Sequence, residues 1–211
     1  MSSVPSPIRA DRPASGTLTE GPGRKLRRAE RRELVLEAAT RAFARNGYAA
    51  TSLDEVAREA GVSKVILYRH FESKADLYRA VLKRSEARLA SAVGGGDFTM
   101  DTLGVLLATA AEDPDGFRLL FQHAAREPEF RAEMDRFRAQ AVATALRQLR
   151  NVIQDPAWAA WAAQLAPTIA IDAVIAWLEV GQPDREHAAQ RIGGVLSAVV
   201  EAASSSDRES A

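Results

Sequence analysis

"GVSKVILYRHFESK", residues 61–74, decides how this chain is read. Gly61 can leave a helix in the left-handed conformation, and Ser63 follows where a side-chain oxygen caps the free N–H groups of a new helix. The spacing predicts a short helix over 64–71. On a helical wheel started at Lys64, the residues Lys64, Val65, Tyr68 and Arg69 fall at about 0°, 100°, 40° and 140°, whereas Ile66, Leu67, His70 and Phe71 fall between about 200° and 340°. The second set packs inward, and the first offers two cations, a phenol and a small apolar group to something polyanionic. Lys64 can donate to guanine acceptors or to a phosphate, Val65 can touch a thymine methyl, and Tyr68 brings a flat ring and a hydroxyl.

Working outward, "TSLDEVAREAG" at 51–61 pairs Ser52 with Glu55 as a capping box, so a helix is expected over 53–60. Before it, Val35, Ala38, Ala39, Ala42 and Phe43 recur at helical spacing until Gly47, which predicts a first helix over 28–46. Two short helices joined across "EAGVSK" form a helix-turn-helix, whose second member enters the major groove. Arg69 and Lys74 are placed for phosphate, and the free N–H groups at the starts of helices two and four, beside Thr51 and Ser73, can hold phosphate too. Ser73, with Asp76 three residues on, starts a fourth helix that runs to about Val93, where "GGG" at 94–96 breaks it. "RKLRRAERR" at 24–32 reads equally as a basic arm along the duplex or as the solvated start of helix one.

Charge supports this division. The 28 Lys and Arg balance 28 Asp and Glu, but residues 24–88 hold 16 against 9, a net +7, and residues 89–211 hold 10 against 17, a net −7. A solvated charged face is the bland explanation of 61–74, and it leaves the capped pair, the turn glycine and the basic surroundings unaccounted for. There is no cysteine, so disulfides and thiolate metal sites are excluded. His70, His123 and His187 are scattered, so no metal and no cofactor is expected. No GxSxG, P-loop, HExxH or Rossmann glycine pattern is present, so an enzyme is not expected. The start of the chain lacks the apolar run of an export signal, and a cytoplasmic location is expected. The most apolar segment, 158–180, carries Asp172 near its middle, which costs about 2.5–3.5 kcal/mol in a bilayer, so no membrane span is expected.

The fold class is therefore all-α: a three-helix helix-turn-helix domain joined by a fourth helix to an all-helical regulatory and dimerisation domain. Disordered tails are expected at 1–23 and 205–211, the DNA-binding domain with its connecting helix at 24–93, and the second domain at 94–204. Further helices are predicted at about 99–111, 115–126, 128–153, 156–180 and 183–204, the last three starting at Pro128, Pro156 and Pro183. Pro167 should kink or divide its helix. The 156–180 segment is apolar on nearly all sides, more than one internal face needs. A four-helix interface between two subunits is expected from the last two helices, with Ile169, Ile175, Ile192, Val195 and Val199 in it.

"GYAATSLDEVAREAGVSKVILYRHFESKADLYRAVL", residues 47–82, resembles the DNA-binding domain of the tetracycline-repressor (TetR) family of bacterial transcription regulators. The resemblance rests on Gly47-Tyr48, Thr51, Val56-Ala57, Ala60-Gly61-Val62-Ser63, Leu67-Tyr68, His70-Phe71, Lys74 and Leu77, and is close over about residues 28–88. It implies a helical homodimer whose recognition helices read the half-sites of a palindromic operator in double-stranded DNA. It also implies that Lys64, Val65 and Tyr68 lie at bases or adjacent backbone and Thr51, His70 and Lys74 at phosphates; Ser63 and Arg69 complete the expected DNA-binding residues. Ile66 departs from the small or hydroxyl residue common in relatives and is expected to pack. On the wheel His70 also lies inward, which makes its phosphate contact less secure than that of Lys74. The family implies a repressor that a small-molecule effector releases, the effector held among the middle helices. Candidates there are Phe117, Leu120, Phe121, His123, Phe130, Met134 and Phe137. A regulator without such a ligand and a nucleoid protein binding without sequence choice are the competing readings.

Overall fold

The computed structural model describes residues 22–94 and 99–205, and every regular element among these is a helix. Helix α1 (Pro22–Ala50) takes in the basic stretch 24–32, so of its two readings the start of a helix is the one observed, with residues 28–34 exposed. Gly47 interrupts it with a φ of 77°, a region that a residue without Cβ enters at no steric cost. Helix α2 (Leu53–Glu59) starts where Ser52 Oγ accepts from Glu55 N at 3.1 Å, and α3 (Lys64–Tyr68) where Ser63 Oγ accepts from Ile66 N at 3.3 Å. The predicted extension of α3 to 71 does not form as helix. The chain tightens instead, His70 N donating to Leu67 O at 2.9 Å, and Phe71 is turned into the core. Helix α4 (Lys74–Val93), capped by Ser73, ends at Gly94 as expected. The other two glycines of that break lie outside the described residues; of the tails expected at 1–23 and 205–211, residues 22 and 23 instead open α1 and Ser205 closes the last helix, and the rest lie outside the described residues.

The second half comprises α5 (Met100–Glu112), α6 (Pro114–Arg118), α7 (Arg131–Leu149), α8 (Pro156–Glu179) and α9 (Ala188–Ser204). Its boundaries correct the sequence reading in four places. The helix expected over 115–126 is one α-helical turn followed by a π-helical turn at Leu119–His123 and a 3-10 turn at Ala124–Arg126. The π turn, which inserts one residue into the helical register, lets the consecutive Leu119 and Leu120 both reach the core. Pro128 starts only a 3-10 turn, Pro128–Phe130, because Phe130 folds fully into the core before α7 begins. Pro183 does not start a helix: Trp177 Nε1 donates to its carbonyl at 2.7 Å, Gln182 and Asp184 flank it at positive φ, and α9 begins five residues later. Pro167 is buried within α8, which continues through it undivided.

One apolar core runs through both halves, from Val35, Phe43, Leu67 and Phe71 to Leu106, Leu120, Val174 and Trp177. Helix α1 packs on α4, α6 and the π turn, so the basic module sits directly on the acidic one. Arg84 of α4, its side chain nearly buried, ties these elements with ion pairs to Glu33, to Glu37 at 3.4 Å and to Asp113 at 3.7 Å. A smaller core of Ile153, Ala159, Ala162, Val199 and Ala203 joins the far end of α8 to α9. Helix α8 is long and apolar enough by composition to cross a membrane; here it packs on α5, α7 and α9.

Candidate nucleic-acid interface

The predicted face of α3 is presented as the wheel requires. Val65 is 71% exposed and Tyr68 46% exposed, Lys64 and Arg69 lie beside them in solvent, and Leu67 and Phe71 are buried behind. Ile66 is half-buried, consistent with packing. Helix α2 supports α3 from α1 by a polar lattice: Asn46 Nδ2 donates to Glu55 at 2.8 Å, Arg41 Nε to Glu59 at 2.9 Å and Arg45 to Glu59 at 2.6 Å. The hydrogen bond from Arg45 is the main reason that the Glu59 carboxyl is held below its ordinary range. Lys64 Nζ lies 2.8 Å from one carboxylate oxygen of Asp54 and 3.0 Å from the other, and this bond raises its pKa.

Three of the expected phosphate ligands are placed differently from the implied roles. Thr51 is only 2% exposed, and its hydroxyl lies 2.8 Å from Gly47 O and 3.2 Å from Ala42 O as their donor. It braces the turn between α1 and α2 and offers no hydroxyl to a ligand. Lys74 Nζ donates to Ala49 O at 3.0 Å and to Thr51 O at 3.2 Å, and lies 4.7 Å above the Tyr48 ring. Its ammonium stitches α4 to the same turn, with its third N–H left over. His70 is half-buried against Phe71, and burial together with the charges of Arg28, Arg32, Arg69 and Arg31 lowers its pKa. Ser63 is exposed but serves as the cap of α3.

Behind the interface lies a junction that sequence reasoning missed. Tyr48 donates to Glu129 at 3.2 Å, Arg79 reaches Glu129 at 3.2 Å and Glu133 at 3.6 Å, and Arg79 also lies 5.2 Å above the Phe130 ring. Phe130 packs on Tyr48 and Tyr78 with centroids 5.1 and 4.5 Å away. Burial holds the Tyr78 phenol un-ionised, its pKa raised well above the usual value. Eighty-one residues separate Tyr48 from Glu129, and no local pattern announces such a pairing.

The expected ligand residues divide among different surroundings. A cleft of about 630 Å³ lies between α4 and α7 over a floor of α5 and α8, lined by Leu89, Leu106, Phe121, Phe137, Ala170 and Ile171 among others. A smaller one of about 200 Å³ adds Leu120 and Met134, while Phe117 and Leu120 border a third of about 740 Å³ beside Arg84 and Arg88. Phe130 lines none of these; it is core at the junction, and His123 lines none either. Of the expected dimer residues, Ile175, Ile192 and Val199 are buried within the subunit and Ile169 packs against its smaller core. The apolar excess of α8 is therefore covered in part by α5, α7 and α9 of the same chain. Val195, 50% exposed, remains available, and so do Trp158 and Trp161 on α8, which stack edge to face.

A capped pair of short helices, the second bearing an exposed cationic and aromatic face, carried on an all-helical body, defines a helix-turn-helix protein. Residues 35–81 match the family model described as bacterial regulatory proteins, tetR family, so this part of the chain is similar to the DNA-binding domain of that family. It is 39% identical over 132 residues to the HTH-type transcriptional activator FasR of Mycolicibacterium smegmatis, covering 58% of this chain and 59% of that one. It is 34% identical over 128 residues to the HTH-type transcriptional repressor SCO4008 of Streptomyces coelicolor, covering 57% and 66%. The chain thus spans about three fifths of the length of the first of these relatives and just under two thirds of the second. In fold it is similar to a TetR-like transcriptional regulator from Rhodococcus sp. RHA1, with a TM-score of 0.70 at 20% identity over 82% of this chain and 94% of that one.

Proposed function

We propose that this protein is a transcription regulator that binds a palindromic operator as a homodimer and represses until a small-molecule effector releases it. The observation that carries the reading is the open face of α3, where Lys64, Val65, Tyr68 and Arg69 stand in solvent on a helix anchored by Leu67 and Phe71. Arg69 and the remaining N–H of Lys74 serve phosphate, and Lys64, Val65 and Tyr68 serve base edges. The dimer forms through the outer faces of α8 and α9, around Val195, Trp158 and Trp161, where large apolar side chains remain exposed.

The effector binds in the cleft between α4 and α7, whose volume is in the range usual for small ligands and whose floor is apolar. A ligand that spreads this cleft displaces α7 relative to α4. It thereby loads the contacts of Glu129, Phe130 and Glu133 with Tyr48 and Arg79, and through Lys74 the turn before α2. Release requires only that the effector bind the displaced arrangement more tightly than the DNA-bound one.

The reading is tested by selecting duplexes from a randomised pool. An inverted repeat should emerge, and Lys64→Ala and Tyr68→Ala should each weaken its binding by about 1–3 kcal/mol without changing the dimer. Unchanged affinity in both variants rejects the face. A promoter reporter carrying the selected repeat gives the sense of regulation, with repression expected.

A further inference from the structure

We infer that Asp54 sets the selectivity of this protein for its operator over random DNA by holding the ammonium of Lys64, an inference that rests on the DNA-binding reading of α3. Helix α2 carries three carboxylates. Two of them have structural partners on α1, Glu55 with Asn46 and Arg45, and Glu59 with Arg41 and Arg45. Asp54 turns the other way. Its partner is Lys64 on the reading face, at 2.8 Å, with the Lys64 side chain 57% and the Asp54 side chain 65% exposed. Exposed pairs of this kind contribute little to folding. The arrangement instead acts on the duplex, because it neutralises one of the two cations that α3 offers while Lys74 is occupied by Ala49 and Thr51.

A random duplex attracts a protein through its phosphates alone, and each cation it recruits adds one displaced counterion. For Lys64 to reach a phosphate it must leave Asp54, and the freed carboxylate then faces a polyanion. Random sites therefore gain little from Lys64. At an operator the exchange runs differently: Lys64 donates to the O6 and N7 acceptors of a guanine, and the Asp54 carboxylate can accept from the N4 amino group of a cytosine. Both members of the broken pair find partners of the right sign only where a G and a C are correctly placed. Asp54 is thus a specificity-determining residue that penalises the wrong sites.

The experiment compares the wild type, Asp54→Asn, Lys64→Ala and the double variant, as full chains, on the duplex selected by the wild type and on random duplex between about 50 and 200 mM salt. Asp54→Asn should bind random duplex about 3- to 10-fold more tightly, with a salt slope steeper by about 0.9 per subunit, and the ratio of selected to random affinity should fall. In the Lys64→Ala background Asp54→Asn should leave the salt slope unchanged and raise random-duplex affinity by less than in the wild type, because no cation is freed there, and Asp54→Glu should keep the wild-type ratio. Unchanged random-duplex affinity in Asp54→Asn overturns the inference. An equal gain in the Lys64→Ala background also overturns it, assigning Asp54 to the general field of α2. Circular dichroism verifies that the variants fold, and Asp54→Ser carries the same comparison if Asp54→Asn does not. A wild type that retains no duplex at all rejects the DNA-binding reading itself, a result distinct from either.

Discussion

Replacing Lys74 by methionine separates two roles that the sequence merges into one. The substitution keeps most of the aliphatic stem and removes the ammonium, which donates to Ala49 O and Thr51 O and lies over the Tyr48 ring. A hydrogen bond from a charged donor contributes about 1.5–3 kcal/mol when well shielded. Lys74 is half-buried, so the two bonds together are taken at about 2 kcal/mol, and the cation over the half-buried Tyr48 ring adds about 0.5–1 kcal/mol. A total of about 2.5–3 kcal/mol lowers the Tm of a chain this size by about 5–10 °C. The third N–H is read separately: if it contacts a phosphate, the slope of log K against log salt should become shallower by about 0.9 per subunit, whatever the duplex sequence. Thermal melting at fixed protein concentration gives the first quantity, and a salt titration of binding gives the second. A melting temperature within 2 °C or so of the wild type shows that the stitch from α4 to the turn is not what holds that turn. An unchanged salt slope removes Lys74 from the phosphate contacts while leaving its structural role intact.

Two other perturbations address the dimer and His70. Val195→Asp places a charge on the outer face of α9 and should yield monomers in sedimentation with the helix content retained; a wild-type sedimentation profile moves the interface elsewhere. His70 has a lowered pKa in the free protein, so the unfolded chain takes up the proton first and stability should decline as pH falls below the ordinary histidine value of about 6.5. A phosphate beside the ring would reverse the bias by favouring the charged form, so operator affinity should rise between pH 7.5 and 6, roughly the range in which histidine titrates, and His70→Gln should abolish the rise. Equal pH dependence in wild type and His70→Gln places His70 away from phosphate.

The reading face was visible in the sequence because its information is local. The Ser52, Ser63 and Ser73 caps, the Gly61 exit and the inward positions of Leu67 and Phe71 are settled by neighbours within a turn or two, and all of them recur in the structure. Helix content and the basic-to-acidic asymmetry followed from periodicity and counting in the same way. What the sequence could not decide was the partner of each side chain across the fold. Thr51 and Lys74 satisfy a polar requirement of the turn before α2, and a hydroxyl or ammonium committed to a carbonyl has the same letters as one awaiting a phosphate. Ile175, Ile192 and Val199 looked like surplus apolar area on two helices and are covered because α5 and α7 close over α8, and α5 and α8 over α9. Phe130 joins Tyr48 and Tyr78 across more than fifty residues of chain, and Asp54 meets Lys64 only because α2 and α3 cross at the angle their shared packing imposes. Helical periodicity and capping act over a few residues and are written in the order of the chain, whereas the pairing of a buried or charged group depends on which distant segment fills the space beside it.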